Sequence, residues 1–453
     1  MGEGGGGTGV YYLSSAFSEI VLQPSGDVGL LGLHSVTPFL KGTFDKLGLD
    51  PRFDHRHEYK SFKNTLTETD FTPAHRESTE AILDSMFDHI TAGIAEARGL
   101  DQASVKALVD RGPLDAATAR AEGLVDRLAY RDELLDELLG EKRRKPAVVP
   151  LAKWWKRAKK RERGASIAVV YGVGGIARGK NRYQPPMGKV MGSDTVAAAL
   201  KAARTDKKVK AILFRVDSPG GSAVASDTVW REVVRAKADG KPVIVSMGDV
   251  AGSGGYWISM HADKIVAQPT TVTGSIGVVT GKLVAAGLRE KVGLSVGAIA
   301  RGEHAGMYSS VADFTPSQWQ KVQDDLDRIY DDFITKVADG RGMTREAVHE
   351  VAKGRVWTGV DAKERGLVDE LGGFPVALRL AREAADLKPD APVKLKVFPK
   401  KKGPLGFLNR GEDPADELFA IPPAIKELYE LAGASMPVGV ASVPPGFTKH
   451  LRF

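Results

Sequence analysis

VKAILFRVDSPGGSAVASDTVWREVVRAKADGKPVIVSMGDVAGSGGYW, residues 209–257, decides the fold. Residues 209–216 (VKAILFRV) form an apolar, β-branched run of strand length, and residues 242–246 (PVIVS) form another. Such runs suit strands buried on both faces. Between them, residues 226–240 read as an amphipathic helix that ends on Gly240, a common stop. Strand, helix and strand in this order imply parallel pairing with a right-handed crossover. The pattern continues outward. Residues 166–173 (SIAVVYGV) and 264–267 read as further strands, and 194–204 as a helix. Thr315 stands where an N-cap belongs, ahead of a long helical stretch, PSQWQKVQDDLDRIYDDFITKVADG. The expected fold class is α/β with a mainly parallel sheet.

The chain also repeats itself. YYLSSAFSEIVLQP (residues 11–24) matches YWISMHADKIVAQP (256–269), DFTP occurs at Asp70 and Asp313, and AEGLVDRL (121–128) matches ERGLVDEL (364–371). The offset is 245 residues for the first match and 243 for the others, so a short deletion in the second copy lies between them. MGEGGGGTG at the start aligns with MGDVAGSGG (247–255), so the first copy begins in mid-repeat. This favours a true start upstream. The expected division is a truncated N-terminal repeat at 1–140, a basic Trp-containing linker at 141–165, a complete C-terminal repeat at 166–390 and a Pro-rich tail at 391–453.

At 453 residues, with 42% hydrophobic and 27% charged residues, the composition is that of a soluble globular protein of two or three units. The absence of cysteine removes thiol catalysis, disulfides and thiolate metal sites. The net charge of +7 is mild and uneven, concentrated in EKRRKPAVVPLAKWWKRAKKRERG (141–164) and in Lys400–Lys402. No nucleic-acid-binding module surrounds either patch. The Trp154–Trp155 pair within 151–164 would suit an anionic membrane surface, and a solvated linker is the alternative. No stretch is long and apolar enough to span a bilayer, and the first residues have no signal-peptide pattern.

Two turns carry candidate chemistry. DSPGGSA (217–223) follows a strand, and its glycines bring bare backbone N–H groups up to a ligand, where they can hold an oxyanion. An ordinary turn is the alternative. GDVAGSGGYW (248–257) follows the next strand. Ser253 lies there between small residues before an apparent helix, YWISM, whose positive end-field would favour an alkoxide. A simple N-cap serine is the alternative. A serine nucleophile needs a base, and the nine histidines offer none with an obvious Asp partner. His261 is about two helical turns past Ser253, and His55, His57 and His304 have no triad pattern.

GDVAGSGGYWIS, DSPGGS and TGSIG, with the repeat and the DFTP segments, resemble the signal peptide peptidase SppA family in its long tandem-domain form, over roughly residues 2–373. The resemblance implies a Clp-protease/crotonase-like ββα superhelix and a Ser–Lys serine peptidase. It carries the nucleophile onto Ser253 and the general base onto Lys60 of HEYKSFKN, in a Tyr-Lys-Ser context. Ser275 of TGSIG becomes the accessory serine, and the oxyanion donors fall on Gly254 and the Gly220–Gly221 pair, with Gly221 favoured. Lys63 is the rival base. Peptide substrates such as signal-peptide remnants, a homotetramer, no cofactor and association with a bacterial inner membrane are implied in the same way. The repeat agrees independently. ARGEHAGMYSSVADFTP in the second copy has no lysine, and the first-copy residue aligned with Ser253 is Thr8. The expected site is composite.

A buried lysine amine loses its usual pKa of about 10.4, because burial disfavours the ammonium. The neutral amine can then take the serine proton. Two other readings stand beside the peptidase. One is an inactive peptide-binding or scaffold homologue, if the incomplete first copy cannot hold Lys60. The other is a crotonase-type acyl-CoA enzyme, for which Asp217 and Asp249 are the nearby carboxylates.

Overall fold

A computed structural model describes residues 7–139, 149–150, 153–154, 164–184 and 188–399. The chain divides into two compact units, Met1–Ser35 with Leu83–Glu162 and Val36–Ile82 with Arg163–Phe453. The segment carrying Lys60 therefore belongs to the same unit as Ser253.

In chain order the strands are β1 (Val21–Leu22), β2 (Asp27–Val28), β3 (Asp50–His55), β4 (Leu114–Asp115), β5 (Arg127–Leu128), β6 (Ala165–Val173), β7 (Gly175–Ala177), β8 (Arg182–Gln184), β9 (Gly188–Gly192), β10 (Val209–Ser218), β11 (Val243–Gly252), β12 (Lys264–Ala267), β13 (Val272–Gly274), β14 (Val279–Val284), β15 (Val356–Trp357), β16 (Glu370–Leu371) and β17 (Val393–Phe398). The main sheet of the larger unit runs β15-β13-β11-β10-β6-β17, with β12 and β16 branching from β11. Its pairs are parallel except β13–β15. The protein is thus mixed α/β, as expected.

The apolar runs become strands because both their faces are covered. Ile212, Leu213 and Phe214 of β10 are fully buried. Alternate residues face two separate cores, Ile212 and Phe214 one, Ala211 and Leu213 the other. Ile212, Leu213 and Phe214 each contribute roughly 1.5–3 kcal/mol when fully buried. Helices Ser193–Thr205 and Ala223–Ala238 follow the sequence reading closely. Helix Pro316–Arg341 starts at Thr315 with a full capping box through Gln318, a device that satisfies two orphan N–H groups.

Three features differ from the sequence reading. β11 does not stop at Ser246 but continues to Gly252, delivering the chain directly to Ser253. After Ser253 only Gly254–Trp257 are helical. Residues 393–398, assigned to the tail, form β17 and pair in parallel with β6; their Val-Leu-Val alternation was hidden among lysines. The remainder of the tail, 400–453, and most of the basic linker, including Trp155, lie outside the described residues. Among the described residues no helix is long and apolar enough to cross a membrane.

In the smaller unit, β1 pairs with β5 in parallel and β2 with β4 antiparallel. Tyr11, Ile20, Leu22, Val28, Leu30 and Ile94 lie in its core. Tyr11 closes it by donating its hydroxyl to Leu124 O at 2.7 Å.

Candidate active site

Two strand ends build the floor. β10 ends at Ser218 and turns through Pro219-Gly220-Gly221 into helix Ala223–Ala238, capped by Ser222. Gly220 and Gly221 have φ of +105° and +149°. A Cβ on Gly220 would lie 2.8 Å from Ser253 Cβ and 2.7 Å from Gly254 N, and one on Gly221 would lie 2.2 Å from Ile176 O. Only glycine allows this approach of backbone to the serine. The Gly220 N–H donates to Ser218 Oγ at 3.2 Å. Gly221 is held by its neighbours: Ile176 N donates to Gly220 O, and Ser222 N to Ile176 O. Its own N–H has no hydrogen-bond partner among the described residues, and neither has that of Gly254. The Gly221 nitrogen lies 3.2 Å from where a Cβ on Gly254 would stand, so these two N–H groups share one wall.

Ser253 takes φ +53° and ψ −118°, a region L-residues avoid. Such backbone strain tends to sit at functional positions. Its N–H donates to Gly274 O at 2.8 Å and its carbonyl accepts from Trp257 N at 2.9 Å. Its hydroxyl makes no capping bond, so the N-cap alternative is not what this serine does. The helix beyond is four residues long, too short for a developed macrodipole. What faces a developing charge here is the local N–H of Gly254.

The Ser253 hydroxyl meets Lys60 instead. Lys60 Nζ lies 3.1 Å from Ser253 Oγ, 2.9 Å from Ser275 Oγ and 2.8 Å from Ser275 O. Three acceptors match the three protons of an ammonium. In the neutral amine, two protons serve Ser275 and the lone pair faces the Ser253 hydroxyl. Lys60 is buried, at 6% exposure, and burial alone pulls its pKa down to about 7. Lys63, the rival, pairs with Asp54 at 3.4 Å. Ser275, at φ +51°, is fixed through its N–H to Arg355 O at 2.7 Å. Arg355 in turn holds Glu77 through both guanidinium nitrogens and stacks on Tyr59 and Trp357.

The lysine sleeve was not legible. Gly354 has φ +82°, and a Cβ there would lie 2.5 Å from Lys60 N. A Cβ on Gly277 would lie 3.2 Å from Lys60 Cδ. One signal was available: the first-copy residue aligned with Gly354 is Arg111, whereas Gly277 aligns with another glycine, Gly32. Thr8, aligned with Ser253, has a bracing role; its Oγ1 donates to Gly32 O and accepts from Leu31 N.

Three of the histidines are engaged elsewhere. His261 Nδ1 accepts from Trp230 Nε1, His304 pairs with Ser317 Oγ, and His57 packs on Tyr330 and His349. Asp217 accepts from Val250 N at 3.2 Å across the register shift between β10 and β11, and burial pushes its carboxyl up. Asp249 is exposed. Among the described residues no three His, Asp or Glu gather as a metal site.

Fold and site together describe an α/β protein in which a strained serine meets a buried amine beside unpaired backbone donors. The chain belongs to peptidase family S49, whose pattern it matches over residues 2–144 and 235–388. It is 34% identical to the chloroplastic serine protease SPPA of Arabidopsis thaliana over 83% of this chain and 57% of that protein. It is 35% identical to Protease 4 of Salmonella typhi, over 84% of this chain and 62% of the relative. Against Protease 4 of Haemophilus influenzae the values are 32%, 85% and 64%. The chain thus spans about three fifths of these relatives' length.

Proposed function

We propose that this chain is a serine endopeptidase with a Ser253–Lys60 dyad, acting on extended, largely apolar peptides such as cleaved signal peptides. The observation that carries the reading is the 3.1 Å contact between Ser253 Oγ and the Nζ of a buried lysine whose pKa falls to about 7. At neutral pH about half of such amines are unprotonated. Lys60 then takes the hydroxyl proton as Oγ attacks the peptide carbonyl carbon. The N–H groups of Gly254 and Gly221 receive the oxyanion. The Lys60 ammonium returns the proton to the departing amine, leaving an acyl-serine. Water, deprotonated by Lys60 in the same manner, releases the acid. Ser275 positions the amine throughout.

The fold assignment belonging to this reading is the Clp-protease/crotonase-like ββα superhelix, repeated in tandem with the first copy truncated. Membrane association, with the basic stretch 151–164 at its surface, and a tetrameric assembly come with the same resemblance. The inactive-homologue reading rested on Lys60 being unheld; the glycine sleeve and the shared compact unit speak against it. The acyl-CoA reading finds its carboxylate, Asp217, committed to a backbone N–H.

A fluorophosphonate probe tests the proposal. Labelling of the wild-type chain, absent in Ser253→Ala, is the expected result. Equal labelling of the two, or none in either, sinks it.

A further inference from the structure

Among the described residues, four of the five non-glycine positions with positive φ surround the dyad: Ser253, Ser275, His57 at +65° and Lys353 at +52°. The last two bracket Lys60. The Lys60 N–H donates to the His57 carbonyl at 3.4 Å. Lys353 opens a turn, residues 353–355, that ties the segment of Lys60 to the segment of Ser275. Lys353 O accepts from Tyr59 N at 3.2 Å, Gly354 N donates to Ile276 O at 2.8 Å, and Arg355 O accepts from Ser275 N at 2.7 Å. Gly354 also lies against the Lys60 backbone. Where this turn stands decides where the amine stands.

One buried side chain touches both strained residues. Tyr330, from helix Pro316–Arg341, lies in the core. Its ring packs on His57, with 4.5 Å between centroids. Its hydroxyl accepts from Lys353 N at 3.3 Å and meets His349 Nδ1 at 3.0 Å. The hydroxyl proton has no other acceptor among the described residues. It therefore goes to His349, whose Nδ1 must be unprotonated. The repeat supplies a contrast. Tyr330 and His349 align with Phe87 and Lys106 in the first copy. There Lys106 Nζ stands 5.8 Å from the Phe87 ring centre and pairs with Asp88. The aromatic ring is present in both copies, and the hydroxyl only beside Lys60.

We infer that Tyr330 is a positioning residue for the general base, holding through the Lys353 N–H and the His57 ring the two strained residues that set where Lys60 stands. The inference rests on the Ser253–Lys60 reading. Left-handed backbone is unfavourable for a residue with a Cβ, and the bond to the Tyr330 hydroxyl offsets that cost at Lys353. Without the hydroxyl, Lys353 relaxes, the turn recedes from Lys60 and water reaches the amine. Solvation favours the ammonium, so its pKa rises. The acceptors around Nζ, on Ser253 and Ser275, carry no charge, so the titration of Lys60 reads its burial.

The rate of labelling by a fluorophosphonate probe, followed across neutral pH, tests this. Tyr330→Phe keeps the ring and removes the hydroxyl. It should label about tenfold more slowly at neutral pH, with the acid limb moved up by about one pH unit. His349→Ala, outside the core, takes away the acceptor and should move the limb the same way by less. Lys353→Asn places a residue that tolerates left-handed backbone at the strained position. Added to Tyr330→Phe, it should return most of the lost rate and bring the limb back. A wild type that does not label sinks the dyad reading and this inference with it. A wild type that labels beside a Tyr330→Phe chain of equal rate and limb overturns the inference alone. So does a slower Tyr330→Phe whose limb stays in place and which Lys353→Asn does not restore.

Discussion

The two copies of the repeat fold alike in their pairing and differ in their chemistry. β1 meets β5 with Val21 opposite Arg127, and β12 meets β16 with Val266 opposite Glu370, the same register carried across the repeat offset. Val28 faces Leu114 in one copy, and Thr273 faces Trp357 in the other. Yet the second copy spends its serine on Lys60, while the first turns Thr8 inward to brace residues 31 and 32. Strand pairing is specified by apolar alternation that many residues satisfy. A proton-transfer site is specified by a few atoms within hydrogen-bond reach.

The largest effects should come from breaking the contact to which the first copy brings Lys60 and the second Ser253. Ser253→Ala and Lys60→Met should each lower kcat by about ten-thousand- to million-fold, with the double variant no worse than either. Thr8→Ala, at the matching place, should leave kcat unchanged and cost about 1 kcal/mol of stability in denaturant unfolding. Equal losses in kcat at both positions would erase the contrast.

Gly354→Ala should come next. The added methyl collides with the Lys60 backbone, and a displaced base of this kind costs about a hundredfold in rate. Arg111→Ala in the first copy should change neither rate nor fold. Steady-state kinetics on both variants decides it.

The wild-type kcat/KM should rise with pH along a limb centred near pH 7, because the amine whose pKa falls to about 7 acts only when neutral. Ser275→Ala removes an acceptor of the ammonium. That disfavours the charged form, so the limb should move to lower pH while kcat falls by about tenfold. A limb that stays in place would separate Ser275 from the titrating group.

The smallest effect is on stability. The folded lysine has a pKa of about 7, and the unfolded one about 10.4. Between these values the unfolded chain binds the extra proton, so wild-type stability rises with pH across that window. Below pH 7 both states are protonated and the burial cost is full. Lys60→Met should therefore exceed the wild type most at or below pH 7, and its advantage should shrink toward pH 10. Urea titrations at several pH values would show a constant difference if Lys60 were solvated.

Much of this was written in local sequence. Ile212-Leu213-Phe214 can only be a strand with two covered faces, and Thr315-Pro316 with Gln318 announces a helix start. The contact between Lys60 and Ser253 was foreseeable because the repeat supplied its own control, a lysine in one copy and a serine in the other. What was not legible depends on long-range closure. Nothing near Lys60 says that Gly354, far along the chain, must lack a side chain. The lysine-rich spacing of residues 393–398 concealed β17, because an edge strand tolerates charge on its outer face. The supposed helix after Ser253 was shortened by the turn at residues 258–262, which no propensity announces.

The backbone at Ser253 has one more consequence. At φ +53° and ψ −118° a glycine would rest more easily than any residue with a side chain. Ser253→Gly should therefore melt higher than the wild type while having no nucleophile at all. A campaign that ranked variants of this protein by heat tolerance would promote the dead one, and the native sequence would look like a defect to be repaired.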